Sequence, residues 1–438
     1  MTTRNKVSAL VLCGALTAGL LAGCGSKNDS TNEGNGGGQV TLRMIESLTS
    51  PARTELLKAS IEKFETANPN IKVDLISPPF DQADNKIRTM LGAKEDLDVI
   101  EARDLNVSEY VNNGFIDPLN TFADSWSDYA SVSAIAKSLG SVGDKLYFVP
   151  NGLYERQLFY RADWFKELGL TPPKTWEELY ETGKKLTDPS KNRFGFSFRG
   201  ASGSNGTTDA ITLAYNGDNV NLEDSMFTKD GKSIYSTPEG KQAMELYLKL
   251  YKDTSPPDSV NWGFQEQVQA FTSGVTGMLL QDPDVIQSLT EKMAEGTWAT
   301  APLQAGPGGK ALLAAGGAGW AIPSDSKHKE EAWKLISFLS SPAENTEFSK
   351  KFGLIPIHTS ATEDEFFKSG PYKTLLDMSN DSAHFVNFKP PFQYPGNGQW
   401  GQLVQDSGQS LLLGQTSLDD TLKKWADFWD KQKAELKK

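Results

Sequence analysis

The chain has two cysteines and three histidines in 438 residues, too few for a disulfide scaffold, a thiolate zinc site or a set of histidine ligands. Positive charge is also short, since 44 Lys plus Arg against 56 Asp plus Glu leave a net charge of −12. That sign suits no phosphate backbone, so no nucleic-acid partner is expected. Beyond Leu21 no unbroken apolar run approaches the roughly 18 residues of a membrane span. The nearest, Ala311 to Ile322, is short and interrupted by Gly316, Gly317 and Gly319. Catalytic signatures are missing too. Gly200 to Gly206 imitates a nucleophile elbow with misplaced glycines, and Gly306 to Lys310 lacks the Ser/Thr and upstream glycine of a phosphate loop. Met226 stands where a phosphate loop at Gly231-Lys232-Ser233 needs glycine, and Arg193 stands where a calcium loop needs it. Neither a cofactor nor a metal is expected. Carboxylate pairs suited to glycoside hydrolysis stay open, because 56 acidic residues guarantee accidental ones.

What is present describes a folding chain of more than one core. Hydrophobic residues make up 38% and aromatic residues 10%, and single cores stop growing near ~250 to 300 residues. At the amino terminus Arg4 and Lys6 precede an apolar run from Val7 to Leu21, which ends in Leu21-Ala22-Gly23-Cys24. Small residues directly before a cysteine resemble a bacterial lipoprotein signal. The alternative is a cysteine that merely ends an apolar helix. The resemblance implies that residues 1–23 are removed and that Cys24 becomes the lipidated first residue, the contact with the membrane. Residues 24–39 then read as a tether: from Gly25 to Gly38 the chain is GSKNDSTNEGNGGG, with nothing apolar to anchor it.

The body alternates strands and helices. Val40 to Ile45 reads as a strand, and Ser50-Pro51 as a helix N-cap followed by proline at the first helical position. Leu57, Ile61 and Phe64 follow at helical spacing until Asn68-Pro69. Strands at 71–76 and 97–100 and helices at 82–91 and 106–113 continue the alternation, which argues for a parallel α/β sheet. The grammar recurs with a strand at 157–160, a helix from Asp163 closed by Gly169, and a capping box at Thr175-Trp176-Glu177-Glu178. Later stripes are Ala332, Leu335, Ile336 and Leu339, then Leu418, Leu422, Trp425 and Trp429.

The order of these segments resembles the family 1 extracellular solute-binding proteins, sugar receptors of ABC importers in the maltose-binding-protein superfamily. The blocks that carry the resemblance are Ile61-Glu62-Lys63-Phe64 with Asn68 to Val73, Asp96 to Ile100, Gly114 to Leu119, Leu146 to Pro150, Leu158-Phe159-Tyr160 with Asp163-Trp164-Phe165, Pro172 to Leu179 and Ala270 to Gly274. Departures are Leu97 where proline is usual, Arg161 where asparagine is usual, and Gln281-Asp282-Pro283 in place of a segment that often carries tryptophan. The resemblance implies a two-lobed α/β periplasmic-binding-protein fold, each lobe a sheet flanked by helices, with an N-lobe of 40–150 plus 305–342 and a C-lobe of 151–304 plus 343–438. Crossings are expected near Asn151, near Leu303 to Gly306 and near Pro342 to Gly353. It further implies a monomeric, non-enzymatic receptor that closes on a carbohydrate and hands it to an ABC permease. A secreted carbohydrate-active enzyme and a surface sensor or adhesin are the alternatives.

A sugar offers apolar C–H faces and a rim of hydroxyls, so candidate site residues are aromatic, carboxylate, amide or Arg. Trp400, behind Pro390-Pro391-Phe392-Gln393-Tyr394-Pro395, is the expected platform, with helix core as its alternative; Tyr394 is a candidate in the same loop. Trp425 and Trp429 read as core. Asn151 and Glu155 share one strand face after Pro150, with Tyr154 on the other. Glu101, Arg103 and Asp104, like Glu46 and Ser47, end strands at the carboxyl edge where open α/β sheets bind ligands. Arg199, Gln281, Asp282 and Trp320 complete the set, while Trp262 and Phe264 read as a hydrophobic lid.

Overall fold

A computed structural model describes residues 39–314 and 316–436. The signal, Cys24 and the tether lie outside the described residues. Strands Val40–Ile45, Ile71–Ile76 and Val99–Arg103 pair in parallel, with Val40–Ile45 central. Helix Pro51–Ala67 connects the first two, and the oxygen of Ser50 caps it by accepting from the Arg53 N–H at 3.3 Å. Leu57, Ile61 and Phe64 bury its inner face. Strands Ala318–Ala321 and Val149–Pro150 complete a five-stranded sheet. A second sheet has four strands: Trp298–Ala301, Gln157–Arg161, Thr276–Gln281 and Phe194–Phe196.

Both sheets are mixed, not parallel as the strand and helix alternation predicts. Ala318 pairs with Arg103, the last residue of its neighbour, and Gln157 pairs with Gln281 in the same way. A strand that enters a sheet at the carboxyl edge of its neighbours must run against them. Those edges are also where the chain passes from one lobe to the other.

Two hydrophobic cores follow the two sheets. Their membership moves the expected boundaries. Ala311, Leu312 and Leu313, expected in the N-lobe, pack in the second core and pair as a strand with Phe385–Asn387. Phe348, Phe352, Leu354 and Ile357, expected in the C-lobe, pack in the first. The crossings therefore fall at about 154–158, 313–320 and 357–367, by the residues that end and begin each core. They run side by side: Leu153 bridges to Ile355 and Tyr154 to Gly316. The Asn345 amide adds a clamp, donating to the Asn151 carbonyl at 2.9 Å and accepting from the Ile357 N–H at 3.0 Å. Among the described residues no helix is long and apolar enough to cross a membrane.

Candidate functional site

A cavity of about 690 Å³ is lined from both lobes, within the size range of small-molecule sites. Small shifts in element ends decide what reaches it. The strand expected at 97–100 runs Val99–Arg103 and the next helix begins at Asp104, so Arg103 and Asp104 sit at the strand-to-helix junction, on the wall. Seven helices present their first residues there: those beginning at Pro51, Phe80, Asp104, Asn205, Phe264, Val285 and Asn397. Helix amino ends carry unpaired N–H groups and partial positive charge, a favourable setting for oxygen.

Charged groups from both lobes converge on this volume. Asp104 accepts from the Gly317 N–H at 2.8 Å and the Leu105 N–H at 2.6 Å, yet burial pushes its pKa up to about 6. Asp209 accepts from the Trp400 indole N–H, 3.1 Å from each oxygen, and from the Tyr235 hydroxyl; burial again raises it to about 6. Asp284 caps the helix at Val285 by position only. Its Oδ1 is buried without a hydrogen-bond partner among the described residues, and burial followed by the neighbouring Asp282 raises its pKa well above the carboxylate range. Arg156 stands 3.6 Å from Asp282. Burial and then Arg156 bring Arg199 down to about 10.

The raised carboxyls set a pH dependence. A folded pKa of about 6 against an unfolded 3.8 means that the folded chain holds the Asp104 proton more tightly. The stability this group contributes is present below the unfolded value and lost as pH rises through about 6. Asp104→Asn, which cannot ionise, is expected to gain stability relative to the native chain between pH 4 and pH 7; a pH-independent difference in denaturant midpoints would refute this.

Of the residues singled out from sequence, Arg103, Asp104, Arg199, Gln281, Asp282 and Trp400 line the cavity. Glu46, Ser47, Glu101 and Asn151 do not. They form a fully buried knot around Arg53, which neither strand-edge position nor alternation discloses. The Arg53 guanidinium donates to Glu46 at 2.9 Å and to Glu101; Glu101 also accepts from Asn151 Nδ2 at 2.5 Å and the Ser47 N–H at 2.7 Å. These residues hold the turn at Leu48 to Ala52, which is the part that reaches the cavity. Glu155 and Trp320 are 3% and 2% exposed and also miss the wall, Trp320 within the first core. Tyr394 packs in the second core, its ring 5.7 Å from Trp429 and its hydroxyl donating to Asp224 at 2.9 Å.

Trp400 lines the cavity while packed among other rings. It is 2% exposed, with Phe428 stacked at 5.5 Å and Tyr235, Trp425 and Trp429 at 5.1 to 5.7 Å of it or of one another. A ring so covered has no free face for a sugar, so its contribution to the site is to hold Asp209. The expected platform role gives way to core.

Sequence reasoning missed Phe80, Arg156, Asp209 and Asp284. The signal for Arg156 was Gly206, in the glycine-rich stretch that imitates a nucleophile elbow. A Cβ at Gly206 would lie 2.1 Å from Arg156 Nη1, and one at Gly203 (φ +82°) would lie 2.4 Å from Arg199 Nη2. The loop is a bed for two guanidinium groups.

Comparisons agree with this architecture. Residues 50–346, more than half of the chain, match the family model described as bacterial extracellular solute-binding protein. A binding protein of Brucella abortus is 26% identical over 93% of this chain and 95% of its own. The polygalacturonan/rhamnogalacturonan-binding protein YtcQ of Bacillus subtilis is 25% identical over 84% and 76%. Among solved structures, maltose-bound MalE3 of T. maritima superimposes with a TM-score of 0.78 at 22% identity, over 89% of this chain and 98% of that one. A solute-binding protein of Agrobacterium vitis with bound D-mannitol gives 0.72 at 23%, over 91% and 98%. With its two-lobed fold, its cavity between the lobes and the family match over most of its length, the chain belongs to the bacterial extracellular solute-binding proteins.

Proposed function

We propose that this chain is the lipid-anchored receptor of an ABC importer, capturing a carbohydrate or polyol between its lobes and delivering it, unreacted, to a membrane permease. The observation that carries the reading is the cavity lining. Guanidinium groups of Arg156 and Arg199 and carboxyls of Asp104, Asp209, Asp282 and Asp284 share one volume with Tyr154, Phe352 and Phe388. Hydroxyls both donate and accept, so a polyol can satisfy acid and guanidinium together while its C–H faces meet the aromatic and aliphatic walls. Relatives named for maltose, D-mannitol and polygalacturonan support the same ligand class. The lipid is proposed on Cys24, which would keep the receptor on the extracytoplasmic face of the membrane.

The test is a thermal-shift and calorimetric screen of monosaccharides, oligosaccharides and sugar alcohols with the full chain. A ligand at a hundredfold excess over its Kd should add roughly 2.7 kcal/mol to stability, and it should be recovered chemically unchanged. A screen in which only amino acids or peptides stabilise the protein, or in which the sugar is cleaved, would overturn the proposal.

A further inference from the structure

Four side chains from the two lobes meet on the cavity wall. Phe80 is the first residue of helix Phe80–Gly92, whose Ile87, Met90 and Leu91 pack in the first core. Phe264 is the first residue of helix Phe264–Thr272 and packs against the second core. Their ring centroids are 6.1 Å apart, with planes tilted by 35°. The Arg103 guanidinium sits over Phe80, 5.4 Å from the centroid, and Arg199 sits over Phe264 at 5.8 Å.

Each member is fixed from its own lobe. Arg103 donates to Asp84, from the first turns of the Phe80 helix, at 2.9 Å. The Arg199 Nε donates to the Ser202 carbonyl, and its guanidinium lies over Gly203. Glu266 accepts from the Gly263 N–H at 3.0 Å and so sets the start of the Phe264 helix. The pair distance is that of a direct aromatic contact, and both cations lie within the range over which a ring face attracts them. No room for a sugar ring remains between the two rings, and a guanidinium sits over each of them.

We propose that the Phe80–Phe264 contact, flanked by Arg103 and Arg199, is a latch between the lobes, which governs how readily the cleft closes and thereby sets affinity without the two rings themselves gripping ligand. It favours the arrangement in which the two rings meet at 6.1 Å, because separating the lobes would expose both rings to water. Apparent affinity scales with the population of the binding-competent form, so the latch acts on every ligand equally and leaves the choice among them to the rest of the wall. The lobes also meet through Asn397 Nδ2, which donates to the Leu105 carbonyl at 3.3 Å, and through Phe392, which packs against the first core.

The experiment is small-angle scattering on the ligand-free full chain and on Phe80→Ala, Phe264→Ala and the double variant, with circular dichroism to verify folding. Losing an aromatic pair should shift the open-to-closed ratio roughly three- to tenfold, so each single variant is expected to raise the radius of gyration. The double variant should raise it no further than the larger single, since one contact is being broken. Phe264→Leu, which keeps apolar volume but loses the ring face, replaces Phe264→Ala should that variant unfold. An unchanged radius in all folded variants overturns the latch, and so do additive effects in the double variant. Loss of ligand binding with an unchanged radius assigns the rings to ligand contact and overturns it too. The scattering needs no ligand, so its failure is distinct from failure of the carbohydrate assignment.

Discussion

Trp400→Ala is expected to cost about 3 to 5 kcal/mol of folding stability in the ligand-free protein, the range for deleting a large buried aromatic. The indole meets Tyr235, Trp425, Phe428 and Trp429, and its removal would leave a void bounded by four rings that cannot all move inward. The same change takes a donor from both oxygens of Asp209. Asp209 is held above the usual carboxylate range by burial, and losing a donor to its charged form should push it higher still. Denaturant midpoints checked against Trp400→Phe, which refills most of the space, separate the cavity from the lost hydrogen bond. Ligand-free stability within about 0.5 kcal/mol of the native value would instead identify a surface residue, for which such small changes are typical.

Arg53→Met should be comparably damaging for an electrostatic reason. Arg53, Glu46 and Glu101 are all fully buried, and the single cation stands between two carboxylates. Methionine fills the space beside Phe348 and Phe352, over whose rings the guanidinium now lies at 5.6 and 5.5 Å. It leaves both acids without their cation. Removing one partner of a buried pair typically costs about 3 to 5 kcal/mol. Chemical denaturation of Arg53→Met beside Arg53→Lys, which keeps a cation, checks this; an equal loss in the two would mean that a positive charge at this position is not what stabilises the fold.

Local structure was legible in the sequence where one segment decides the outcome. Ser50-Pro51 caps its helix, Gly169 closes another in the left-handed conformation at φ 63°, and Thr175 accepts from the Glu178 N–H at 3.1 Å. The site was legible only in part. Arg103, Asp104, Gln281 and Asp282 were found because strand ends at a cavity can be read from the alternation of elements. Glu46, Glu101 and Asn151 occupy equivalent positions and turn inward, because Arg53, in the first turn of the next helix, draws the two acids to itself. That partnership joins residues 48 positions apart, and no periodicity reports it. Trp400 misled for a related reason: its glycine-rich approach resembles a loop presenting a ring, whereas three of its four aromatic packing partners come from the last helix, Leu418–Leu436, and the fourth is Tyr235. The lobe boundaries failed likewise, since 311–313 belongs with 385–387 through a pairing distant in the chain.

The three crossings that lie side by side, with Leu153 against Ile355, Tyr154 against Gly316 and the Asn345 amide spanning two of them, govern more than the path of the chain. A single connecting strand would let the lobes swivel, slide and twist independently. Three connections tied to one another by backbone bridges beside them resist such independent movements and favour a common bending of the lobes. The same arrangement gives redundancy: a protease cut in any one crossing leaves the halves connected by two others, so continuity of the molecule does not depend on any one peptide bond there.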